Sequence, residues 1–147
     1  CRMWDFGFWA PVYKNWGWQN RTCTVRVASG GRFEYRGVDS SCNPYLSVAA
    51  LLVAGLDGIK RESDPGEPQS ANTYELLQEA NGKQPLERVP DSLGDALKAL
   101  AADEVIRDGA MPGRLWQVFH HYKRDEWERY LAAVTDWERD EYLEVLP

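Results

Sequence analysis

Cysteine is scarce: Cys1, Cys23 and Cys42 are the only three in 147 residues. Their spacing fits no zinc or dithiol motif, and an odd number argues against a disulfide framework. They read as free thiols of a cytoplasmic protein. No apolar run reaches the ~18 residues of a membrane-spanning helix. The first residues lack the basic, apolar and small-residue order of a secretory signal. His120 and His121, the only histidines, are adjacent. They diverge on a helix and do not form a two-ligand metal face, so one reads as packed and the other as solvated. An excess of positive charge is also missing. Seventeen Lys and Arg stand against 23 Asp and Glu, a net charge of -6. That excludes the basic surface of a nonspecific nucleic-acid binder but leaves room for a local cationic pocket. There are no internal repeats and no low-complexity tract.

What the chain has in abundance is aromatic. Of its seven Trp, four (Trp4, Trp9, Trp16 and Trp18) fall in the first eighteen residues. Such a cluster needs burial or a partner surface. Residues 1–19 show weak periodicity and read as irregular loop with a short strand. With so little there to pack against, and no Met before Cys1, the expectation is that the natural chain begins upstream.

Residues 21–28 and 32–38 read as strands, rich in Thr, Val, Phe and Tyr. Ser29-Gly30-Gly31 joins them as a hairpin. A three-residue loop opposes Arg26 to Glu34, whereas a two-residue Gly-Gly loop puts Arg26 on the other face. The three-residue register is preferred because it gathers Val25, Val27, Phe33 and Tyr35 on one apolar face. Asn43-Pro44 is a helix start, Asn as cap and Pro at the first helical position. The following residues, 44–59, are apolar nearly all round, which predicts a central, buried helix. Residues 61–73 contain the turn-rich Asp64-Pro65-Gly66-Glu67-Pro68, and 78–90 are another polar connection. Ser92 to Asp95 has capping-box spacing before a helix bearing Leu93, Leu97 and Leu100. Helices are expected near 102–108, over 113–133 with an aromatic stripe that reads as core, and over 135–145. The fold class is α+β: a β-hairpin followed by several packed helices.

The chemistry concentrates in Arg32-Phe33-Glu34-Tyr35-Arg36. On a strand, Arg32, Glu34 and Arg36 share a face, joined by Arg26 across the hairpin. Residues 20–36 hold Arg21, Arg26, Arg32 and Arg36 against the single acid Glu34. Arginine binds phosphate and carboxylate in a fork and stays charged. A lone Glu among arginines stays ionised and suits a metal beside phosphates. A solvated, ion-paired hairpin has the same composition, and on spacing alone both readings stand.

The ordered motifs go further. Ala10-Pro11, Asn20-Arg21-Thr22, Val25-Arg26-Val27, Arg32-x-Glu34-x-Arg36, Asp39 and Asn43-Pro44-Tyr45-Leu46 are followed by Ala54-Gly55-Leu56-Asp57-Gly58-Ile59, Pro65-Gly66-Glu67-Pro68 and Tyr74-Glu75-Leu76. In this order they resemble the C-terminal portion of the glutamine synthetase catalytic domain, over essentially the whole of residues 1–147. The resemblance implies an ATP-dependent ligase of glutamate with ammonia or a small amine, acting through γ-glutamyl phosphate. Magnesium or manganese is implied as cofactor, and a homo-oligomeric ring as the assembly. It implies that Arg21 contacts glutamate and the transferring phosphate, and that Arg26 and Arg32 hold nucleotide phosphates. Glu34 becomes a metal ligand, and Arg36 the holder of the substrate glutamate. Tyr74 matches a tyrosine that some bacterial members adenylylate; in its polar loop it is expected to be exposed. Trp9 stands where ammonia-using members carry a catalytic Glu, which suggests a bulkier or less charged nucleophile. Family members are much longer, so the chain reads as a fragment, inactive alone. The alternative is a truncated, non-catalytic paralogue that binds or assembles with a full-length ligase. Nucleic acid and membrane are not expected partners.

Overall fold

Gly30 and Gly31 both take positive φ, 79° and 73°, a region that any side chain with a Cβ enters only under strain. They let Ser29-Gly30-Gly31 close a three-residue hairpin between β2 (Val25–Ala28) and β3 (Arg32–Tyr35). The antiparallel register pairs Arg26 with Glu34 and Ala28 with Arg32, as the apolar alternation predicts. The computed structural model describes residues 10–79 and 86–143. It divides into two compact units, Cys1–Asp91 and Ser92–Pro147.

The first unit holds a three-stranded sheet, not an isolated hairpin. Its third strand is β1 (Trp16–Trp18), parallel to β2, in the order β1-β2-β3. The short strand expected within 1–19 thus supplies what the hairpin lacks. Trp4 and Trp9 lie outside the described residues. Both hairpin strands are shorter than the sequence suggests, because 21–24 form a turn. Side-chain bonds divert this backbone from the ladder. Asn20 Oδ1 accepts from the Thr22 amide at 2.9 Å and the Thr22 hydroxyl at 2.6 Å. Thr24 donates its amide to Asn15 Oδ1 at 3.0 Å and its hydroxyl to the Tyr13 carbonyl. Residues 12–14 pair in turn with 87–89: the Val89 amide donates to the Val12 carbonyl and the Lys14 amide to the Glu87 carbonyl. The buried side chains here include Pro11, Tyr13, Thr22, Cys23, Thr24, Ala28 and Thr73, a core held as much by hydroxyl hydrogen bonds as by apolar contact.

Helix α1 (Pro44–Lys60) begins where the motif predicts, with Asn43 Oδ1 accepting from the amides of Tyr45 and Leu46. Its expected central burial is not found. None of its residues is buried, and Tyr45, Val48, Leu52, Leu56 and Ile59 are exposed. An all-apolar helix needs neighbours on every side, and the described residues do not provide them. A short helix α2 (Thr73–Glu79) follows, between the two predicted polar connections, and takes in Tyr74, expected in a loop.

In the second unit α3 (Leu93–Ala102) packs against α4 (Glu104–Ala110) and α5 (Arg114–Ala132); α6 (Asp136–Leu143) completes it. Ser92 caps α3, accepting from the Asp95 amide at 3.0 Å. Leu97, Ala110 and Met111 are buried. Gly94 lets the Trp127 indole seat directly on α3: a Cβ there would lie 2.6 Å from Nε1. The aromatic stripe of α5 is not core. Leu115, Val118, Tyr122 and Tyr130 are exposed, and Trp116, Phe119 and Trp127 are half-buried, because only one side of α5 meets α3. His120 lies 4.7 Å from the Trp116 ring and is half-buried, whereas His121 is exposed.

Candidate functional site

The charged face of the sheet is built by one cross-strand pair. Arg26 on β2 stands opposite Glu34 on β3, and its Nη1 donates to both carboxylate oxygens at 2.8 and 2.9 Å. Arg26 Nη2 donates to Gln19 Oε1. Gln19 has a positive φ of 53°, an unusual backbone for a residue with a side chain. It aims the amide back across β2. Nothing in the sequence marks Gln19; only this turn brings it to Arg26.

The hydrogen bond from Arg26 holds the Glu34 carboxyl below its ordinary pKa, and the charges of Arg26, Arg21 and Arg32 act in the same direction. Arg26 bonds this carboxylate directly, whereas Arg21 and Arg32 act on it through their charge alone. The face is not uniformly open to solvent, as the hairpin by itself would be. The Glu34 side chain is 48% exposed, but that of Arg26 is only 14% exposed.

Arg36 continues the same side of β3 but turns inward. Its amide donates to the Thr24 carbonyl at 2.8 Å. Its Nη1 donates to the carbonyl of Arg21 and, at 3.2 Å, to that of Cys23. Cys23 is fully buried, which pushes its thiol pKa up against the opposing influence of a Thr73 hydrogen bond and the Arg36 charge.

Tyr74 is not the exposed loop residue its surroundings predict. It lies on α2, half-buried, with its hydroxyl donating to the Ala10 carbonyl. Burial raises its pKa, Tyr13 adds to the rise, and Arg36 opposes it.

On the opposite side of the sheet Trp16, Trp18, Val25, Val27, Phe33 and Tyr35 line an apolar groove of about 1090 Å³. The two indoles meet edge to face, with centroids 6.1 Å apart. The alternation predicted for the strands is thus realised as one charged face and one apolar face.

A divalent metal needs more than the described residues present. Among the described residues no three His, Cys, Asp or Glu side chains cluster to hold an ion. Glu34 offers one carboxylate, already engaged by Arg26, so these residues alone do not form a metal centre.

Comparison with known proteins decides the family. Residues 2–142 match the model of the glutamine synthetase catalytic domain. The chain belongs to that family. Curated relatives include the glutamine synthetase of Archaeoglobus fulgidus, 41% identical over 95% of this chain and 29% of that protein. The glutamate–methylamine ligase of Methyloversatilis universalis is 43% identical over 92% of this chain and 30% of its own length. Among solved structures, an ADP complex of GmaS superposes with a TM-score of 0.82 at 40% identity, covering 92% of this chain and 30% of that one. The chain thus spans about 30% of the length of these glutamine synthetase-family relatives. The α+β architecture found here is the one it shares with the GmaS chains.

Proposed function

We propose that the chain is the C-terminal portion of the catalytic domain of an ATP-dependent ligase joining glutamate to ammonia or a small amine. It contributes one wall of a phosphoryl-transfer site and is inactive alone. The observation that carries this reading is the Arg26–Glu34 pair across β2 and β3, with the positive charge of Arg21 and Arg32 acting on the same carboxylate, in a family whose named relatives include glutamine synthetases and a glutamate–methylamine ligase. Phosphoryl transfer asks for positioned positive charge around oxygens that carry developing negative charge. Arg26, fixed on β2 by its bonds to Glu34 and Gln19, meets that need, and Arg32 follows on the adjacent strand.

In this reading Arg26 and Arg32 bind nucleotide phosphates. Arg21 contacts the transferring phosphate and glutamate, and Arg36 holds a glutamate carboxylate. Glu34 donates one carboxylate to a magnesium or manganese ion whose remaining ligands lie outside the described residues. The Arg26–Glu34 pair keeps that carboxylate ionised. Formation of γ-glutamyl phosphate, a ring of identical subunits and a cytoplasmic site of action belong to the same reading. Among the described residues no helix is long and apolar enough to cross a membrane. Trp9, standing in the sequence where ammonia-using members carry a catalytic Glu, favours a small amine over ammonia as the nucleophile.

The test is to express the complete open reading frame that carries this sequence and measure phosphate release from ATP. Glutamate is supplied first with ammonia, then with methylamine and other small amines. Glutamate-dependent phosphate release with one of these acceptors is expected; no turnover with any of them overturns the proposal.

A further inference from the structure

The amide of Asn20 is saturated inside the fold. Its Oδ1 accepts twice from Thr22, from the amide at 2.9 Å and the hydroxyl at 2.6 Å. Its Nδ2 donates to the carbonyls of Gln69 and Ala71, both at 2.9 Å. Two acceptor and two donor positions on one short side chain are what an amide alone provides. The bonds continue inward. The Thr73 amide donates to Thr22 Oγ1 at 3.0 Å, the two threonine hydroxyls lie 3.0 Å apart, and Asn15 Nδ2 donates to Thr73 Oγ1 at 3.0 Å. Thr73 is fully buried and Thr22 only 5% exposed. Residues 20–24 are thereby clamped to 69–73. The two carbonyls flanking Thr22, those of Arg21 and Cys23, are the ones that receive Arg36 Nη1.

We propose that Asn20 is a positioning residue for Arg36: it fixes the loop whose carbonyls orient the Arg36 guanidinium toward the carboxylate of an amino-acid substrate. Only the identity of that carboxylate rests on the ligase reading. An aspartate at position 20 keeps the acceptors but turns a second anionic oxygen on the carbonyls of Gln69 and Ala71, with no donor between them. The clamp opens there and the acceptors of Arg36 shift. Arg26 and Arg32 are held by the β2–β3 ladder and Arg26 also by Glu34, so they depend on the clamp only through the Gln19–Arg26 bond.

The experiment uses the complete protein with Asn20→Asp, Thr22→Val and Thr22→Ser. Glutamate affinity, ADP affinity and the nitrogen-15 guanidinium resonance of Arg36, assigned by its loss in Arg36→Lys, are measured in each. Asn20→Asp is expected to weaken glutamate binding ~10-fold or more and to erase the Arg36 resonance, with a much smaller change in ADP affinity. Thr22→Val moves both readouts in the same direction, and Thr22→Ser, which restores the hydroxyl, returns them to the unsubstituted values. Retention of the Arg36 resonance and of glutamate affinity in Asn20→Asp or Thr22→Val overturns the proposal. So does an equal loss of glutamate and ADP binding, which marks a merely structural role. If Asn20→Asp does not fold, the two Thr22 variants decide. If the unsubstituted protein binds no glutamate but Asn20→Asp still erases the Arg36 resonance, the ligase reading falls and the hold of Asn20 on Arg36 stands.

Discussion

Arg26 and Glu34 face each other across β2 and β3, with one guanidinium nitrogen shared between both carboxylate oxygens at 2.8 and 2.9 Å. This pair fixes the protonation of the site. Hydrogen bonding from Arg26 lowers the Glu34 pKa from its ordinary 4.5. A depressed folded-state value contributes stability that is present above the ordinary value and is lost as pH falls through the depressed one. Carbon-13 NMR of labelled glutamate should show Glu34 still ionised at pH 4.5, and Arg26→Ala should bring its titration back toward that value. A Glu34 that titrates identically in both proteins contradicts the pairing.

Glu34→Gln keeps the shape and removes the charge. In the complete protein the ligase reading expects a loss of turnover of about 10²-fold or more, the scale of deleting one preorganised electrostatic contact. Because the Glu34 side chain is half exposed, the melting temperature should fall only slightly. Steady-state kinetics beside thermal denaturation separates the two effects, and unchanged turnover argues against a catalytic wall.

Tyr74→Phe deletes one hydroxyl bonded to the Ala10 carbonyl and should cost about 1 kcal/mol, the net worth of a typical hydrogen bond. The raised pKa of Tyr74 predicts tyrosinate absorbance that appears above its ordinary 10.0 and is absent from Tyr74→Phe. Since the folded value lies above the unfolded one, this contribution is complete below pH 10.0 and disappears as pH rises through the raised value. An ultraviolet titration followed in parallel with unfolding measures both.

Gly94 leaves no room for a side chain beside Trp127. Gly94→Ala sets a Cβ 2.6 Å from Trp127 Nε1, and overpacking of this kind costs ~1–3 kcal/mol. Chemical denaturation should show the loss, and a second change at Trp127 to a smaller aromatic ring should recover part of it.

Asn43 caps α1 through two backbone amides. Asn43→Ala should destabilise the helix start by ~1 kcal/mol. Hydrogen exchange should locate the effect at the amides of Tyr45 and Leu46, leaving the sheet unchanged.

Local chemistry was legible in the sequence wherever neighbours along the chain suffice to specify it. The two-glycine hairpin, the Asn43-Pro44 helix start and the Ser92 cap are of this kind. Their hydrogen bonds close within four residues, so the residue types carry the geometry. Burial was not legible. The apolar composition of 44–59 predicts a buried helix, yet α1 exposes Leu52, Leu56 and Ile59, since burial depends on what lies beside a helix. Tyr74 errs the other way: a polar stretch predicts exposure, but Ala10, distant in sequence, accepts its hydroxyl. Gln19 and the Thr22–Thr73 contact were invisible for the same reason, because each joins segments that alternation and spacing do not relate.

By itself the sequence determined the register of β2 and β3. With period-2 side chains, a slip of one residue would move Val25 and Val27 from the face of Phe33 and Tyr35, so the opposition of Arg26 to Glu34 follows from alternation and a three-residue loop. Only the tertiary structure decided how that face is held. The turn at 19–24 brings Gln19 to Arg26, and the Asn20 amide ties the same turn to residues 69 and 71. Hydrogen bonds across some fifty residues leave no periodic trace in a chain; they exist once the backbone has already brought their partners together.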